Sequence, residues 1–191
     1  KEKEDILDMA AAPGGKTSQI SAITNGKAYI TACEKNPIRA ERLKYNMQKL
    51  GIPSIQVLVK DARKLDDAFS FDKILLDSPC SGSGTLRLKE DTFSEELIQR
   101  SIIVQKQLLE KAVRLLKPGH ELVYSTCSIL KQENEKQIEK ILQKGKVEIV
   151  PIPKELLTNV PQLPVTLEGT VCIKPNEYYE GFFVAKLKKY A

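Results

Sequence analysis

Two hydrophobic patterns alternate along the chain. Short runs rich in β-branched and apolar residues predict strands, and longer stretches whose apolar residues recur every three or four positions predict helices. The predicted strands are 5–9, 27–33, 55–60, 71–76, 121–125, 147–150 and 182–187. The predicted helices are 16–23, 37–50, 94–116 and 132–143. This alternation is typical of an α/β fold, and we expect a seven-stranded, mostly parallel sheet with helices on both faces.

Turn-forming residues mark the ends of the predicted helices. Pro37 stands in the first turn of the second helix and Gly51 lies just past its end, which are favoured positions for these residue types. The Lys-Pro-Gly run at 117–119 predicts the end of the third helix, and Gly145 predicts the end of the fourth. The segment 151–175 contains five of the ten prolines, so we expect an extended surface connection there.

The size and composition are those of one domain. The chain has 191 residues, of which 41% are hydrophobic, and we expect residues 1–191 to form a single domain. No run reaches the roughly 18 apolar residues of a membrane-spanning helix, and the start of the chain does not resemble a signal peptide. We therefore expect a cytoplasmic monomer without a membrane partner. Because no helix precedes the first predicted strand, we also expect a substrate-recognition segment upstream of this chain.

Net charge and cysteine spacing limit the partners and the metal sites that this chain could have. The chain has 30 Lys and Arg against 25 Asp and Glu, a formal charge of +5. This excess is compatible with nucleic acid as a partner and is also ordinary for a solvated surface. The four cysteines lie 45 or 47 residues apart and there is one histidine, so we expect no metal site. We expect free thiols, either buried in the core or reactive where their neighbours are unusual.

A loop of small residues follows the first predicted strand. Small residues let the backbone turn sharply and let a ligand approach closely. The phosphate-binding pattern GxxxxGK[ST] would need glycine at Ala10, and the dinucleotide pattern GxGxxG is absent. We expect a ligand-contact loop of another kind, with a plain strand-to-helix turn as the alternative. The loop consists of Ala10, Ala11, Ala12, Pro13, Gly14, Gly15 and Lys16.

Acidic residues end three successive predicted strands. They are Glu34, Asp61 and Asp77. Ligands of doubly wound sheets bind at the carboxyl edge of the strands, where Glu34 is placed for ribose hydroxyls and Asp61 for an adenine amino group. Such acids would repel a pyrophosphate and suit a cationic ligand, so S-adenosylmethionine fits better than NAD or ATP. Each acid taken singly is also typical of a helix cap or a solvated turn.

Two cysteines follow neighbouring predicted strands. Cys80 lies just after the fourth strand, and Cys127 lies just after the fifth. In the usual strand order 3-2-1-4-5 these two strands are adjacent and about 4.8 Å apart, so both thiols can face one substrate. Two thiols beside a methyl donor suggest covalent catalysis on an electron-poor ring, in which one thiol attacks and the other assists release.

Four motifs together resemble one enzyme family. They are AAAPGGKT at 10–17, DSPCSG at 77–82, TCS at 126–128 and EGFFVA at 180–185. In this order and spacing they resemble the NOL1/NOP2/Sun family of RNA 5-methylcytosine methyltransferases, in its RsmB/RsmF-like branch, over nearly the whole chain. The resemblance implies a Rossmann-like S-adenosylmethionine-dependent methyltransferase fold and an upstream segment that contributes to RNA binding. Ser78 stands where the family most often has alanine.

The resemblance also implies a cofactor site. Residues 10–16 would surround S-adenosylmethionine, Glu34 would hold its ribose, and Asp61 would contact its adenine. Asp77 would lie between the methionine moiety and the target base. The complete set of cofactor-binding candidates is Ala10, Ala11, Ala12, Pro13, Gly14, Gly15, Lys16, Glu34, Arg39, Asp61, Ala62 and Asp77.

The catalytic roles implied by the resemblance fall on four residues. Cys127 would add to C6 of cytosine, because C5 is otherwise too weak a nucleophile to accept the methyl group. Cys80 would assist loss of the C5 proton and release of the enzyme. Asp77 is the candidate for hydrogen bonding at N3. Lys16 would either lower the pKa of a neighbouring thiol or bind the target phosphate, and the sequence does not choose between these.

The expected substrate is a cytidine in ribosomal or transfer RNA. A base inside a helix is out of reach of such a pocket, so the cytidine should be unpaired or flipped out. Arg39, Arg63, Arg87 and Lys89 are candidates for phosphate contacts, although each is also typical of an ordinary charged surface. Residues 85–94 are expected to form a loop over the site.

Three other functions remain open. A DNA cytosine-C5 methyltransferase would use Cys80 as its nucleophile; Cys127 and the lack of a visible target-recognition segment of DNA type count against it. A catalytically inactive RNA-binding or assembly module would retain the fold without turnover. A dehydrogenase would need a nicotinamide pocket, and the acids along the sheet edge disfavour a pyrophosphate there.

Overall fold

The computed structural model describes residues 3–52, 55–85 and 93–191. Arg87, Lys89 and most of the predicted loop 85–94 therefore lie outside the described residues. The helices are α1 (Gly15–Ile23), α2 (Pro37–Lys49), α3 (Glu95–Leu115) and α4 (Glu135–Leu142). The strands are β1 (Asp5–Asp8), β2 (Tyr29–Cys33), β3 (Gln56–Leu58), β4 (Phe71–Asp77), β5 (Leu116–Thr126), β6 (Val147–Ile149), β7 (Gln162–Leu163), β8 (Val171–Ile173) and β9 (Phe182–Lys189).

All nine of these strands form one sheet. Its order is β3-β2-β1-β4-β5-β9-β8-β7, and β6 also pairs with β9. The first five strands run parallel to one another, whereas β9 is antiparallel to β5. The predicted order 3-2-1-4-5 is confirmed. The carboxyl ends of these five strands consequently meet at one edge.

The prediction of seven strands is wrong by two. The additional strands β7 and β8 lie inside 151–175, which sequence patterns predict as a surface connection. In the structure β8 pairs with the first residues of β9 and buries Val171 and Cys172. Pro161 and Pro164 flank the two-residue strand β7, and prolines beside so short a strand hide its sequence signal.

The boundary between α3 and β5 also differs from the prediction. The helix ends at Leu115, close to the predicted end, but the Lys-Pro-Gly run that follows already belongs to β5, which begins at Leu116 rather than at 121. The pairing of β4 with β5 shifts register between Phe71 and Lys73. A bulge of this kind accommodates proline and glycine within a strand.

The last helix starts three residues later than predicted. Helix α4 begins at Glu135, whereas the apolar spacing predicts a start at 132. Residues 131–134 form a turn instead. The side chains of Glu133 and Asn134 are fully buried there, so they cannot lie on the solvated start of a helix.

Helices cover both faces of the sheet, as predicted. One face packs Leu7, Leu76 and Tyr124 against apolar residues of α3 and α4. On the other face Ala32 packs against Leu43 and Met47 of α2. No helix among the described residues has the length and apolar character needed to cross a membrane.

Candidate active site

The loop between β1 and α1 is fixed at the carboxyl edge of the sheet. The backbone N–H of Met9 donates to Leu75 O at 3.0 Å, and the N–H of Ala11 donates to Cys33 O at 2.9 Å. These bonds tie the loop to the strands on either side of β1. Ala10 is half-buried, whereas the side chains of Ala11 and Ala12 are buried against α2.

Helix α2 holds the outer half of the same loop. Arg39 donates from Nη2 to Ala12 O at 2.7 Å, and Asn46 donates from Nδ2 to Pro13 O at 2.8 Å. Arg39 is therefore occupied in shaping the loop. Its predicted place at the cofactor site agrees with this geometry better than a contact with RNA phosphate does.

The two glycines of the loop differ in what they make possible. Gly14 has φ +108°, and a Cβ there would lie 2.6 Å from Met47 Cε and 2.8 Å from Leu43 Cδ1. Gly14 is thus required by backbone conformation and by packing on α2. Gly15 has open space where a Cβ would stand, so it leaves room at the start of α1.

Five predicted cofactor residues surround one cleft. Pro79 and two side chains of α3, Val104 and Leu108, form an apolar wall of this cleft. Sequence analysis missed these three because their apolar positions are indistinguishable from core positions. The predicted residues that line the cleft are Ala10, Glu34, Arg39, Asp61 and Ala62.

The two acids of the cleft are both partly satisfied within the protein. Glu34 is buried, accepts a hydrogen bond from the N–H of Asn36 at 2.8 Å and lies 3.6 Å from Arg39 Nη1. Asp61 pairs with Arg63 through Nη2 and Oδ2 at 2.6 Å. Hydrogen bonds from Arg63 lower the pKa of Asp61. Arg63, predicted as a phosphate contact, thus serves to keep Asp61 ionised.

A buried carboxylate that the sequence analysis did not select lies under the loop. Asp8, at the end of β1, is 1% exposed. Its Oδ2 accepts a hydrogen bond from Thr17 Oγ1 at 2.7 Å. Burial raises the pKa of Asp8 to about 6, and the nearby charge of Asp77 adds to this. Only its place at a strand end could have indicated it.

Asp77 is the centre of a polar cluster at the end of β4. Lys16 Nζ lies 2.7 Å from Asp77 Oδ2, and Ser125 Oγ donates to Oδ1 at 2.7 Å. The same Nζ lies 5.3 Å from the centre of the Phe182 ring, within range of a cation–π contact. This contact between Lys16 and Asp77 was not predicted, although both residues were catalytic candidates.

The thiols of Cys80 and Cys127 are in direct contact. Their Sγ atoms are 3.1 Å apart, and both residues are partly exposed and free of disulfides. Hydrogen bonding to Cys127, followed by burial, raises the pKa of the Cys80 thiol. The same hydrogen bond lowers the pKa of Cys127. These opposite directions favour the thiolate on Cys127 over the thiolate on Cys80.

Backbone contacts lock the two cysteine loops together. Ser78 N–H donates to Ser125 O at 2.8 Å, and Gly84 N–H donates to Cys127 O at 3.0 Å. Gly84 also accepts from Gly181 N–H at 2.7 Å. The glycine of the EGFFVA motif thus supports the thiol pair from the adjoining start of β9.

The doubly wound sheet, the loop after β1, the acids beyond it and the thiol pair are the features of a Rossmann-like methyltransferase. The profile described as 16S rRNA methyltransferase RsmB/F matches residues 1–188. The chain belongs to this family, and the expected family and fold class are confirmed.

Named relatives and solved structures agree with this assignment. Ribosomal RNA small subunit methyltransferase F of Aeromonas salmonicida is 40% identical over 97% of this chain. The crystal structure of PH0851 superposes with a TM-score of 0.89 at 39% identity, covering 99% of this chain and 43% of that one. NSun6 from Pyrococcus horikoshii, determined with SFG, gives 0.86 at 31% identity, covering 98% and 48%. The chain spans 40% of the length of the Aeromonas relative.

Proposed function

We propose that this chain is the catalytic domain of an S-adenosylmethionine-dependent RNA cytosine-C5 methyltransferase that acts on ribosomal RNA. The observation that carries the proposal is the pair of thiols, 3.1 Å apart, at the ends of β4 and β5 beside the cofactor cleft. Family membership and the name of the Aeromonas relative support ribosomal rather than transfer RNA as the substrate.

The residues of the cleft fit S-adenosylmethionine. Glu34 and Asp61 offer carboxylate oxygens to hydroxyl and amino groups, and the apolar wall of Val104 and Leu108 is suited to a planar adenine. The NSun6 relative was determined with SFG, an analogue of this cofactor. When bound, the cofactor supplies an electrophilic methyl group.

Cys127 is the nucleophile in this proposal. Its thiolate forms a bond to C6 of the cytosine, which moves electron density to C5 and makes C5 able to accept the methyl group. The hydrogen bond from Cys80 lowers the pKa of Cys127 and so favours the thiolate. A cytosine must be unpaired or flipped out to present C6 to this sulfur.

Cys80 then completes the turnover. The largest cause that raises the pKa of Cys80 is its hydrogen bond to Cys127, and this cause disappears once the sulfur of Cys127 is bonded to carbon. Cys80 can then lose its proton to solvent and accept the C5 proton, directly or through water. The electrons of the C5–H bond restore the C5–C6 double bond, and the bond between C6 and Cys127 breaks.

Asp77 and Lys16 act on the base rather than on the thiols. With Lys16 and Ser125 donating to its two oxygens, Asp77 is oriented as a hydrogen-bond acceptor. An acceptor fits the amino group of cytosine, or N3 once it is protonated, as the C6 adduct requires. We therefore favour an orienting role for Lys16 over phosphate binding.

The DNA-type alternative uses Cys80 as the nucleophile. Cys80 retains the proton of the pair, and the carboxylate of Glu133 contributes to its raised pKa. Both facts favour Cys127 instead. The inactive-module alternative makes a different prediction, binding of S-adenosylmethionine without any covalent RNA adduct.

Trapping of RNA tests the proposal. The intact protein and its Cys80→Ala, Cys127→Ala and Cys172→Ala variants are mixed with ribosomal RNA and S-adenosylmethionine, and denaturant-resistant protein–RNA complexes are quantified. We expect Cys80→Ala to accumulate the complex and Cys127→Ala to form none. Cys172 is buried outside the site, so its variant serves as the thiol control and should behave like the parent protein.

Each alternative has its own outcome in this experiment. Accumulation in Cys127→Ala rather than Cys80→Ala would make Cys80 the nucleophile and overturn our assignment. Absence of a complex in every variant, together with measurable S-adenosylmethionine binding, would support the inactive module.

A further inference from the structure

Two consecutive buried polar residues connect the cysteine loops to the turn before α4. Glu133 and Asn134 both have no exposed surface. Each side chain contacts a different cysteine loop: Glu133 contacts Ser81, next to Cys80, and Asn134 contacts Thr126 and Ser128, on either side of Cys127. Neither residue belongs to a predicted or family-implied site.

Glu133 binds the loop that carries Cys80. Its Oε1 accepts from Ser81 N–H at 2.8 Å and its Oε2 accepts from Ser81 Oγ at 2.6 Å. Gln105 Nε2 donates to Pro79 O at 2.9 Å and lies 3.3 Å from the same Oε1. Ser81, directly after Cys80, is thus held by Glu133, and Pro79, directly before Cys80, is held by Gln105, which lies against Glu133.

Asn134 binds the loop that carries Cys127. Its Oδ1 accepts from Thr126 Oγ1 at 2.5 Å, and its Nδ2 donates to Ser128 O at 2.8 Å. These are the residues immediately before and after Cys127. Because Glu133 and Asn134 are adjacent in the chain, the two loops share one anchor.

The anchor itself is rigid. The hydroxyl of Tyr124, a fully buried residue of β5, donates to the backbone O of Glu133 at 2.6 Å. Among the described residues no Lys or Arg pairs with Glu133, whose oxygens are satisfied by Ser81 and Gln105. A buried carboxylate costs stability that an apolar side chain would not, so packing alone does not account for Glu133.

We propose that Glu133 and Asn134 are positioning residues that hold the thiols of Cys80 and Cys127 in contact. This inference rests on the proposed function for its consequence in catalysis. Glu133 also acts electrostatically: after the hydrogen bond to Cys127 and burial, its charge further raises the pKa of Cys80. It thereby helps to keep the proton on the releasing thiol.

The test replaces Glu133 by glutamine. The Glu133→Gln side chain keeps the shape and can still bond Ser81, but it removes the charge. Its control is Glu139→Gln on α4, a carboxylate that pairs with Lys136 at the surface. Glu133→Asp, which keeps the charge and shortens the reach, tests the contact with Ser81 separately. Thermal unfolding verifies that each variant folds.

The first readout is thiol alkylation by iodoacetamide between pH 6 and pH 10, with the modified cysteine identified by peptide mass spectrometry. In the parent protein and in Glu139→Gln we expect Cys127 to react first. In Glu133→Gln we expect the share of modification at Cys80 to rise above that in the parent protein, because a charge that raises the pKa of Cys80 is removed. In Glu133→Asp we expect the same direction of change, because the shorter side chain loses its contact with Ser81. An unchanged ratio and pH profile in folded Glu133→Gln would reject the electrostatic role, and an unchanged ratio in folded Glu133→Asp would overturn the positioning role.

The second readout is the covalent RNA complex. We expect Glu133→Gln to accumulate it relative to the parent protein, because release through Cys80 slows while attack by Cys127 persists. A merely structural residue would instead lower adduct formation. Alkylation needs neither RNA nor cofactor, so a shifted alkylation profile without trapping in Cys80→Ala would sustain the positioning role and reject the proposed reaction.

Discussion

Charge and burial together determine the pKa values of the acidic side chains at the sheet edge. Asp61 and Asp77 accept from a basic partner and stay exposed enough to be solvated, whereas Asp8 is buried with only hydroxyl and backbone donors beside it. The pKa is consequently lowered at Asp61 by hydrogen bonds from Arg63 and raised at Asp8 by burial. Sequence position predicts that an acid lies at the edge, but not how deeply it lies.

Burial of Asp8 predicts a specific dependence of stability on pH. Its pKa rises from 3.8 in the unfolded chain to about 6 in the fold, so the folded state binds the proton more tightly. The contribution to stability is complete below about pH 4 and is lost as the pH rises through 6, in total about 3 kcal/mol. We expect Asp8→Asn to remove this part of the slope in urea unfolding between pH 4 and pH 7.

Asp66→Asn is the matched control for this prediction. Asp66 is an exposed carboxyl that accepts only from the nearby N–H of Ala68. Its variant should keep the slope of the parent protein. If Asp8→Asn also keeps that slope, Asp8 is not the group responsible.

At the scale of elements, the active site depends on strands whose ends must meet closely. Gly84, after β4, and Gly181, before β9, cross in contact; a Cβ on Gly84 would lie 2.7 Å from the carbonyl carbon of Gly181. The clashing atoms are backbone atoms, so no side-chain movement makes room for a methyl group there and the backbone must shift. The crossing therefore requires glycine on both sides.

Methyl groups at this crossing should be destabilising. We expect Gly84→Ala and Gly181→Ala each to lower the free energy of unfolding by about 1–3 kcal/mol, the usual cost of overpacking. The double variant should cost less than the sum, because one contact is disrupted in both. Urea unfolding measures this, with Gly15→Ala as the control because its Cβ would meet open space. Strict additivity would argue against a shared contact.

Elements with a regular hydrophobic period could be predicted from the sequence. Features that depend on hydrogen bonds between buried side chains could not. The parallel order of β1 to β5 follows from alternating strands and helices, and it places Cys80 beside Cys127. Glu133 and Asn134 were missed because a polar run before an amphipathic helix is typical of a solvated helix start. Only the buried donors of the neighbouring loops reveal their use. Strand β8 was missed because it depends on the free edge of β9.

At the scale of the whole molecule, the proposed cofactor cleft is lined by separate parts of the chain. Its lining comes from the ends of β1, β2 and β3, from the loop after β4 and from α3. A ligand bound there would contact several elements at once. Binding should therefore stabilise the domain as a unit rather than one local segment.

Cofactor binding consequently predicts a shift in global stability that depends on Glu34. With S-adenosylmethionine at 100 times its Kd, we expect the free energy of unfolding to rise by about 2.7 kcal/mol. Glu34→Gln can keep the hydrogen bond from Asn36 but loses the charge beside the cationic ligand, so its shift at the same ligand concentration should be smaller. Thermal unfolding with and without ligand measures both shifts, and Glu148→Gln on the exposed side of β6 is the control.

Two outcomes would contradict this prediction. An equal shift in Glu34→Gln would place the ligand elsewhere. An equal loss in Glu148→Gln would show that the effect comes from net charge and not from the cleft.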